Sequence, residues 1–188
     1  AGPTLAKDRF PRARLSAMSI ELIIGGARSG KSSLAERRAA ESGLAVAYIA
    51  TATIGDGEMA QRIAHHRERR PAHWRTVEEP LHLADALRSE AAPGRLLLVD
   101  CLTLWLSNLL LGPGLEPERR RLLEALGDLP GRVIMVSNEV GWGVVPANEL
   151  ARRFADEQGR LNQAVAALCD RVTLVVAGLP LELKAGGG

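Results

Sequence analysis

Residues 25–32 read Gly25-Gly26-Ala27-Arg28-Ser29-Gly30-Lys31-Ser32, a full match to G-x-x-x-x-G-K-[ST]. An apolar stretch, Glu21-Leu22-Ile23-Ile24, runs into this motif, and Ser33-Leu34-Ala35-Glu36-Arg37-Arg38 leaves it with helical character. Glycines let the backbone curl until successive N–H groups point inward at phosphate oxygens, and the helix start adds the positive end of its dipole. In such a loop Lys31 reaches the β- and γ-phosphates and the Ser32 hydroxyl ligates Mg2+. The geometry exists only where a strand feeds a helix, so the motif commits the chain to an α/β fold that holds a nucleoside triphosphate.

The rest of the sequence agrees with that commitment. Five short apolar runs, at 20–24, 45–50, 96–99, 132–136 and 172–177, are continuous rather than alternating, as strands buried on both faces of a parallel sheet are. Helix-like stretches at 32–42, 58–70, 81–91, 116–126 and 148–168 separate them. The expected fold is therefore α/β and P-loop NTPase-like, with a mostly parallel sheet flanked by helices. Segment 112–117, with two glycines and two prolines, reads as a surface loop. No repeat or linker divides the chain, so residues 18–185 are expected to form a single nucleotide-binding domain. Residues 1–17 read as a disordered extension ahead of an internal start at Met18, and 186–188 as a frayed tail.

Composition removes other classes. The 188 residues carry 24 basic and 22 acidic side chains, too balanced for a surface held to nucleic acid by charge, and aromatics at 3% leave no stacking platform for bases. The longest greasy stretch, 96–111, is interrupted by Asp100, Ser107 and Asn108 and is too short for a membrane span. Two cysteines, Cys101 and Cys169, cannot frame a disulfide scaffold and fit a reducing cytoplasm.

A partner acid for the phosphate loop is expected at the end of a neighbouring strand. Leu96-Leu97-Leu98-Val99 followed by Asp100 supplies it at the carboxyl edge, where open α/β sheets bind ligands. Asp100 there either holds Mg2+ through water, or contacts the nucleotide, or simply caps the next turn.

A double histidine lies at His65-His66. On a helical wheel Met59 and Ile63 set the apolar stripe, and His66 falls about 20° from Met59 and flanks the core. His65 lies between Gln61 and Arg69, on a polar and cationic surface suited to an uncharged imidazole attacking phosphorus. The competing reading of the same residues is a solvated Arg/His-rich helix.

Together with the phosphate loop, Tyr48-Ile49-Ala50-Thr51, Glu58-Met59 with Arg62-Ile63 and His65-His66, Arg70-Pro71-Ala72-His73-Trp74-Arg75-Thr76 and Ser137-Asn138-Glu139-Val140-Gly141-Trp142-Gly143-Val144-Val145-Pro146 resemble the bifunctional adenosylcobinamide kinase/adenosylcobinamide-phosphate guanylyltransferases of cobalamin biosynthesis. The resemblance implies two reactions. The first phosphorylates the aminopropanol arm of adenosylcobinamide. The second moves GMP from GTP onto that phosphate through a histidine–GMP intermediate, giving adenosylcobinamide-GDP and pyrophosphate. ATP and GTP are then substrates and Mg2+ the cofactor.

The family's nucleophile falls on His65, with His66 as the reserve. Its nucleotide contacts carry over onto 25–32, Thr51, Ala52, Thr53, His66, Arg67, Glu68, Arg69, Glu78 and Asp100, with Ser32 and Asp100 on the metal. Glu78 also reads as a surface acid beside Glu79. Asn138-Glu139 sits near the corrinoid or the phosphates, or is an ordinary strand-to-helix loop. Trp142 touches the corrinoid or a neighbouring subunit, while Trp105 reads as core. The resemblance further implies a homo-oligomer, a trimer, while the sparse cysteines are what place the chain in the cytoplasm.

Two rival readings share the phosphate loop. One is a small-metabolite kinase without guanylyl transfer. The other is a GTP-binding switch, which usually reads guanine through Asn-Lys-x-Asp, a tetrapeptide missing from this chain.

Overall fold

The computed structural model describes residues 18–53 and 71–185. The expected extension at 1–17, helix at 58–70 and tail at 186–188 lie outside the described residues. In chain order the elements are β1 (Met18–Gly25), α1 (Lys31–Glu41), β2 (Ala45–Ala50), β3 (Arg75–Glu78), α2 (Leu83–Glu90), β4 (Arg95–Asp100), α3 (Leu102–Leu111), α4 (Glu116–Leu126), β5 (Gly131–Asn138), α5 (Glu149–Leu168), β6 (Arg171–Val176) and β7 (Leu179–Lys184).

The strands form one seven-stranded sheet in the order β3-β2-β4-β5-β1-β6-β7. Pairs are parallel except β6 with β7, which form an antiparallel hairpin. Successive side chains of a strand face opposite ways, so continuous apolar runs feed two cores at once. Leu22, Leu97, Val99, Val133 and Met135 point to the face covered by α2 to α5, where Leu87, Leu102, Trp105, Leu122 and Leu161 meet them. Ile23, Leu96, Leu98, Ile134 and Val136 point to the other face, against Leu34, Ala35 and Ala39 of α1. Trp105 is fully buried, and its indole N–H donates to the Leu81 carbonyl at 2.8 Å, which satisfies its polar atom inside the apolar core.

The five apolar runs are all strands. Three elements escaped the sequence reading for physical reasons. β3 and β7 are edge strands with little buried surface, so neither presents an apolar run, and Pro180 is tolerated in β7 because it lies at an edge. The greasy stretch 96–111 is two elements, β4 and α3, separated by a single residue, Cys101. The loop expected over 112–117 ends earlier, because Pro117 sits in the first turn of α4. β6 stops one residue short of the predicted run. Ala177 (φ 51°) and Gly178 (φ 78°) instead form the two-residue turn into β7, with the left-handed pair of torsions such hairpins use.

Candidate nucleotide site

The phosphate loop joins β1 to α1 and is pinned on both sides. The Gly25 carbonyl accepts from the Glu139 N–H at 3.0 Å, and the Ser29 carbonyl accepts from the Gly178 N–H at 2.8 Å. Neighbouring chain crowds two of its glycines. A Cβ on Gly25 would stand 2.5 Å from the Val175 carbonyl oxygen and 2.5 Å from Ser29 Oγ, so no side chain fits. Gly30 takes φ 97°, a left-handed torsion that favours glycine, directly before the helix. Arg28, at φ 57°, adopts a left-handed torsion without being glycine.

Lys31 folds its ammonium across the loop to the Gly26 carbonyl at 3.1 Å. Burial lowers its pKa from the ordinary lysine value, against the raising influence of Cys101 and Asp100. A cation with few partners and partly stripped of water is poised to gain by meeting phosphate.

Asp100 ends β4 and is the acid that the strand pattern calls for. Its Oδ1 lies 3.5 Å from the Ser32 hydroxyl, and its Oδ2 accepts from the Tyr48 hydroxyl at 2.9 Å. Strand order explains the meeting: β5 alone separates β4 from β1, so the two carboxyl ends converge over the middle of the sheet. Hard oxygen donors facing each other in this way suit Mg2+.

Thr51 is fully buried on the neighbouring strand end, and its hydroxyl both accepts from the Cys101 N–H at 2.9 Å and donates to the Cys101 carbonyl at 2.7 Å. It braces the backbone carrying Asp100. Ala52 and Thr53 continue along the same edge, with Thr53 Oγ1 3.5 Å from Asn108 Oδ1. Glu78 ends β3 opposite Ala50, four strand positions from the phosphate loop, or roughly 19 Å at the usual strand spacing. His65, His66, Arg67, Glu68 and Arg69 lie outside the described residues.

Several supports carried no motif signal. Asn108 donates from Nδ2 to the carbonyls of Thr51 (2.8 Å) and Pro80 (3.1 Å), tying α3 to two edge loops. A polar residue inside an apolar helix was the one available clue. Behind the end of β5, buried Gln158 donates to Ser137 Oγ (2.9 Å) and Asn162 Oδ1 (3.0 Å), and Asn162 donates to the Asn138 carbonyl (3.0 Å). This network fixes the start of the segment that leaves the sheet at Glu139.

A parallel sheet with this loop, lysine, serine and strand-end acid defines a P-loop nucleotide-binding protein. Solved structures share the architecture. The flagellar accessory protein FlaH from Methanocaldococcus jannaschii superposes with a TM-score of 0.52 at 11% identity, covering 89% of this chain and 79% of that one. The RadB recombinase superposes at 0.50 with 19% identity, covering 83% and 73%. At these identities the likeness establishes the fold alone.

The sequence comparisons go further. Residues 21–183 match the family described as cobinamide kinase/cobinamide phosphate guanyltransferase, and the chain belongs to that family. It is 70% identical over 167 residues to the bifunctional adenosylcobalamin biosynthesis protein CobP of Pseudomonas aeruginosa, covering 87% of this chain and 96% of that protein. It is 42% identical over 179 residues to the Escherichia coli protein CobU of the same description, covering 87% and 98%.

Proposed function

We propose that this chain phosphorylates adenosylcobinamide and then caps the product with GMP, using the loop at 25–32 for the triphosphate in both steps. Family membership and the convergence of Lys31, Ser32 and Asp100 at the loop support the reading. In the first step the acceptor hydroxyl oxygen attacks the γ-phosphorus of ATP or GTP; the nucleoside diphosphate leaves and the hydroxyl proton is released. In the second an imidazole nitrogen of His65 attacks the α-phosphorus of GTP and pyrophosphate leaves. An oxygen of adenosylcobinamide phosphate then attacks the same phosphorus, the N–P bond breaks, and adenosylcobinamide-GDP departs with the histidine restored.

Ser32 and Asp100 would hold Mg2+, which when bound neutralises charge on the triphosphate oxygens. Lys31 and the inward N–H groups of the loop orient the phosphates. Placing the nucleophile at His65 rests on its motif position and on the polar side of the helix it would occupy. His66-Arg67-Glu68-Arg69, Thr51-Ala52-Thr53 and Glu78 would serve the guanylyl nucleotide. We place the enzyme in the cytoplasm as a homo-oligomer, a trimer. Among the described residues, no helix is long and apolar enough to cross a membrane.

The deciding experiment uses GTP labelled at its α-phosphorus. Denatured protein should carry label that is acid-labile and base-stable, lost in His65→Ala and kept in His66→Ala. Wild-type protein that takes no label, while still phosphorylating cobinamide, reduces the chain to a kinase.

A further inference from the structure

The acceptor needs a surface from which its hydroxyl reaches the phosphate loop. Resting on cobinamide as that acceptor, we infer that the segment leaving β5, residues 139–150, is the bed on which the corrin ring lies, with Trp142, Val144 and Val145 against its apolar face.

Position comes first. β5 stands between β4, which ends in Asp100, and β1, which ends in the phosphate loop, so this segment leaves the sheet between the two halves of the nucleotide site. Its start is bonded to both surroundings: the Glu139 N–H donates to the Gly25 carbonyl at 3.0 Å, and the Asn138 N–H donates to Thr103 Oγ1 at 2.8 Å. Its far end is tied as well. Arg152 donates to the carbonyls of Pro146 (3.0 Å) and Ala147 (2.6 Å), and the Asn148 side chain accepts from the Ala151 N–H at 2.7 Å.

The surface between these ties is apolar and turned to solvent. Trp142 is 73% exposed, Val144 96% and Val145 76%, and Leu150, in the first turn of α5, is 55% exposed. Soluble chains seldom gather such side chains on one anchored loop unless something covers them. The other large exposed apolar residues among those described are elsewhere. Leu111 ends α3, Leu168 ends α5 just before β6 begins, and Val176, Leu179, Leu181 and Leu183 belong to the outer hairpin of the sheet. That hairpin also touches the phosphate loop, through the Gly178 N–H, but from the outer side of β1, whereas the 142–150 group leaves the sheet between the loop and Asp100.

The corrin of adenosylcobinamide is a wide macrocycle that carries the adenosyl group on one side of its cobalt, with apolar ring carbons and methyl groups toward the other side, a rim of amides and a single alcohol-bearing arm. Laid against Trp142 and the two valines, it buries apolar surface while the arm extends along 139–141 toward the triphosphate. Gly141 and Gly143 flank the indole and keep bulk from its sides. The surface then sets which acceptors enter, and the phosphate loop needs no contact with the ring.

The test is a Trp142→Ala/Val144→Ser/Val145→Ser protein, whose changes all fall on exposed side chains and spare the core. Binding of adenosylcobinamide is measured by equilibrium dialysis with a non-hydrolysable ATP analogue and Mg2+ present, alongside nucleotide affinity and sedimentation velocity. The expected result is a cobinamide Kd raised roughly 10- to 30-fold, the scale of losing an aromatic anchor, with nucleotide Kd within about twofold of wild type. A cobinamide Kd that does not move overturns the assignment and leaves the proposed reactions standing. A smaller sedimentation coefficient than wild type also overturns it, since a second copy of the chain is then what covers the patch. Wild-type protein that binds nucleotide but no cobinamide overturns the assignment together with the acceptor it rests on.

Discussion

The Tyr48 hydroxyl donates to one carboxylate oxygen of Asp100 at 2.9 Å, which leaves the other oxygen turned to the Ser32 hydroxyl 3.5 Å away. The phenol, on the adjacent strand β2, thus orients the acid proposed for Mg2+. Tyr48→Phe keeps the ring in its buried place and removes the donor, so the carboxylate loses a charge-assisted hydrogen bond worth about 1.5–3 kcal/mol. The expected outcome is a lower melting temperature and a roughly 3- to 10-fold rise in the Mg2+ needed for half-maximal kinase rate, on the scale of about 1 kcal/mol at the metal. A Mg2+ titration of the kinase step checks it; an unchanged midpoint would show that Asp100 holds its orientation without Tyr48.

Gly25 and Gly26 should respond in opposite ways to the same substitution. A methyl at Gly25 meets the Val175 carbonyl and Ser29 Oγ, whereas a Cβ on Gly26 has nothing within 4 Å. Gly25→Ala is expected to destabilise the ligand-free protein by about 1–3 kcal/mol, because the obstacle at Val175 is backbone and cannot swing aside. Gly26→Ala should leave melting unchanged, and any loss it causes should appear only in nucleotide affinity. Thermal melts with and without nucleotide separate the two.

The phosphate loop, five strands and the acid at Asp100 could be read from the sequence because each obeys a local rule: a glycine spacing, an apolar run, a carboxylate at a strand end. β3 and β7 lay beyond such rules. Their residues are mostly exposed, and they are strands because β2 and β6 offer an open edge to pair with. The same holds inside the site. Tyr48 and Asn108 are placed by neighbours in space about 50 residues away, and the Gly178 N–H reaches Ser29 only once the sheet has closed. Spacing along a chain cannot report such contacts. Asp100 was legible, and the phenol that aims it was not.

Both cysteines should be inert in the folded protein. Burial pushes the Cys101 thiol up to about 12, with the Asp100 carboxylate adding to the effect, and burial likewise raises Cys169 to about 12. Thiolate is the reactive form, so at neutral pH neither side chain presents an appreciable fraction of it. Native protein treated with iodoacetamide is expected to show no mass increase, and denatured protein to show two additions, one for each cysteine in the sequence. Alkylation of Cys101 in the native state would mean that the β4–α3 junction opens, and nucleotide should then slow it.

Lys31 gives the site a signature on the alkaline side. Its folded pKa lies below 10.5, chiefly through burial. Between the folded value and 10.5 the unfolded chain binds more protons than the folded one, so this group's contribution makes the ligand-free protein more stable as pH rises. Nucleotide binding runs the other way across the same window, because only the charged ammonium attracts phosphate. The expected outcome is a nucleotide Kd that climbs by up to about tenfold per pH unit once Lys31 begins to lose its proton, while the ligand-free melting temperature gains a rising component. Lys31→Met should remove both trends together and bind nucleotide weakly at every pH. Titrating affinity and melting in parallel on the two proteins assigns the effect; an alkaline limb that survives in Lys31→Met belongs to another group.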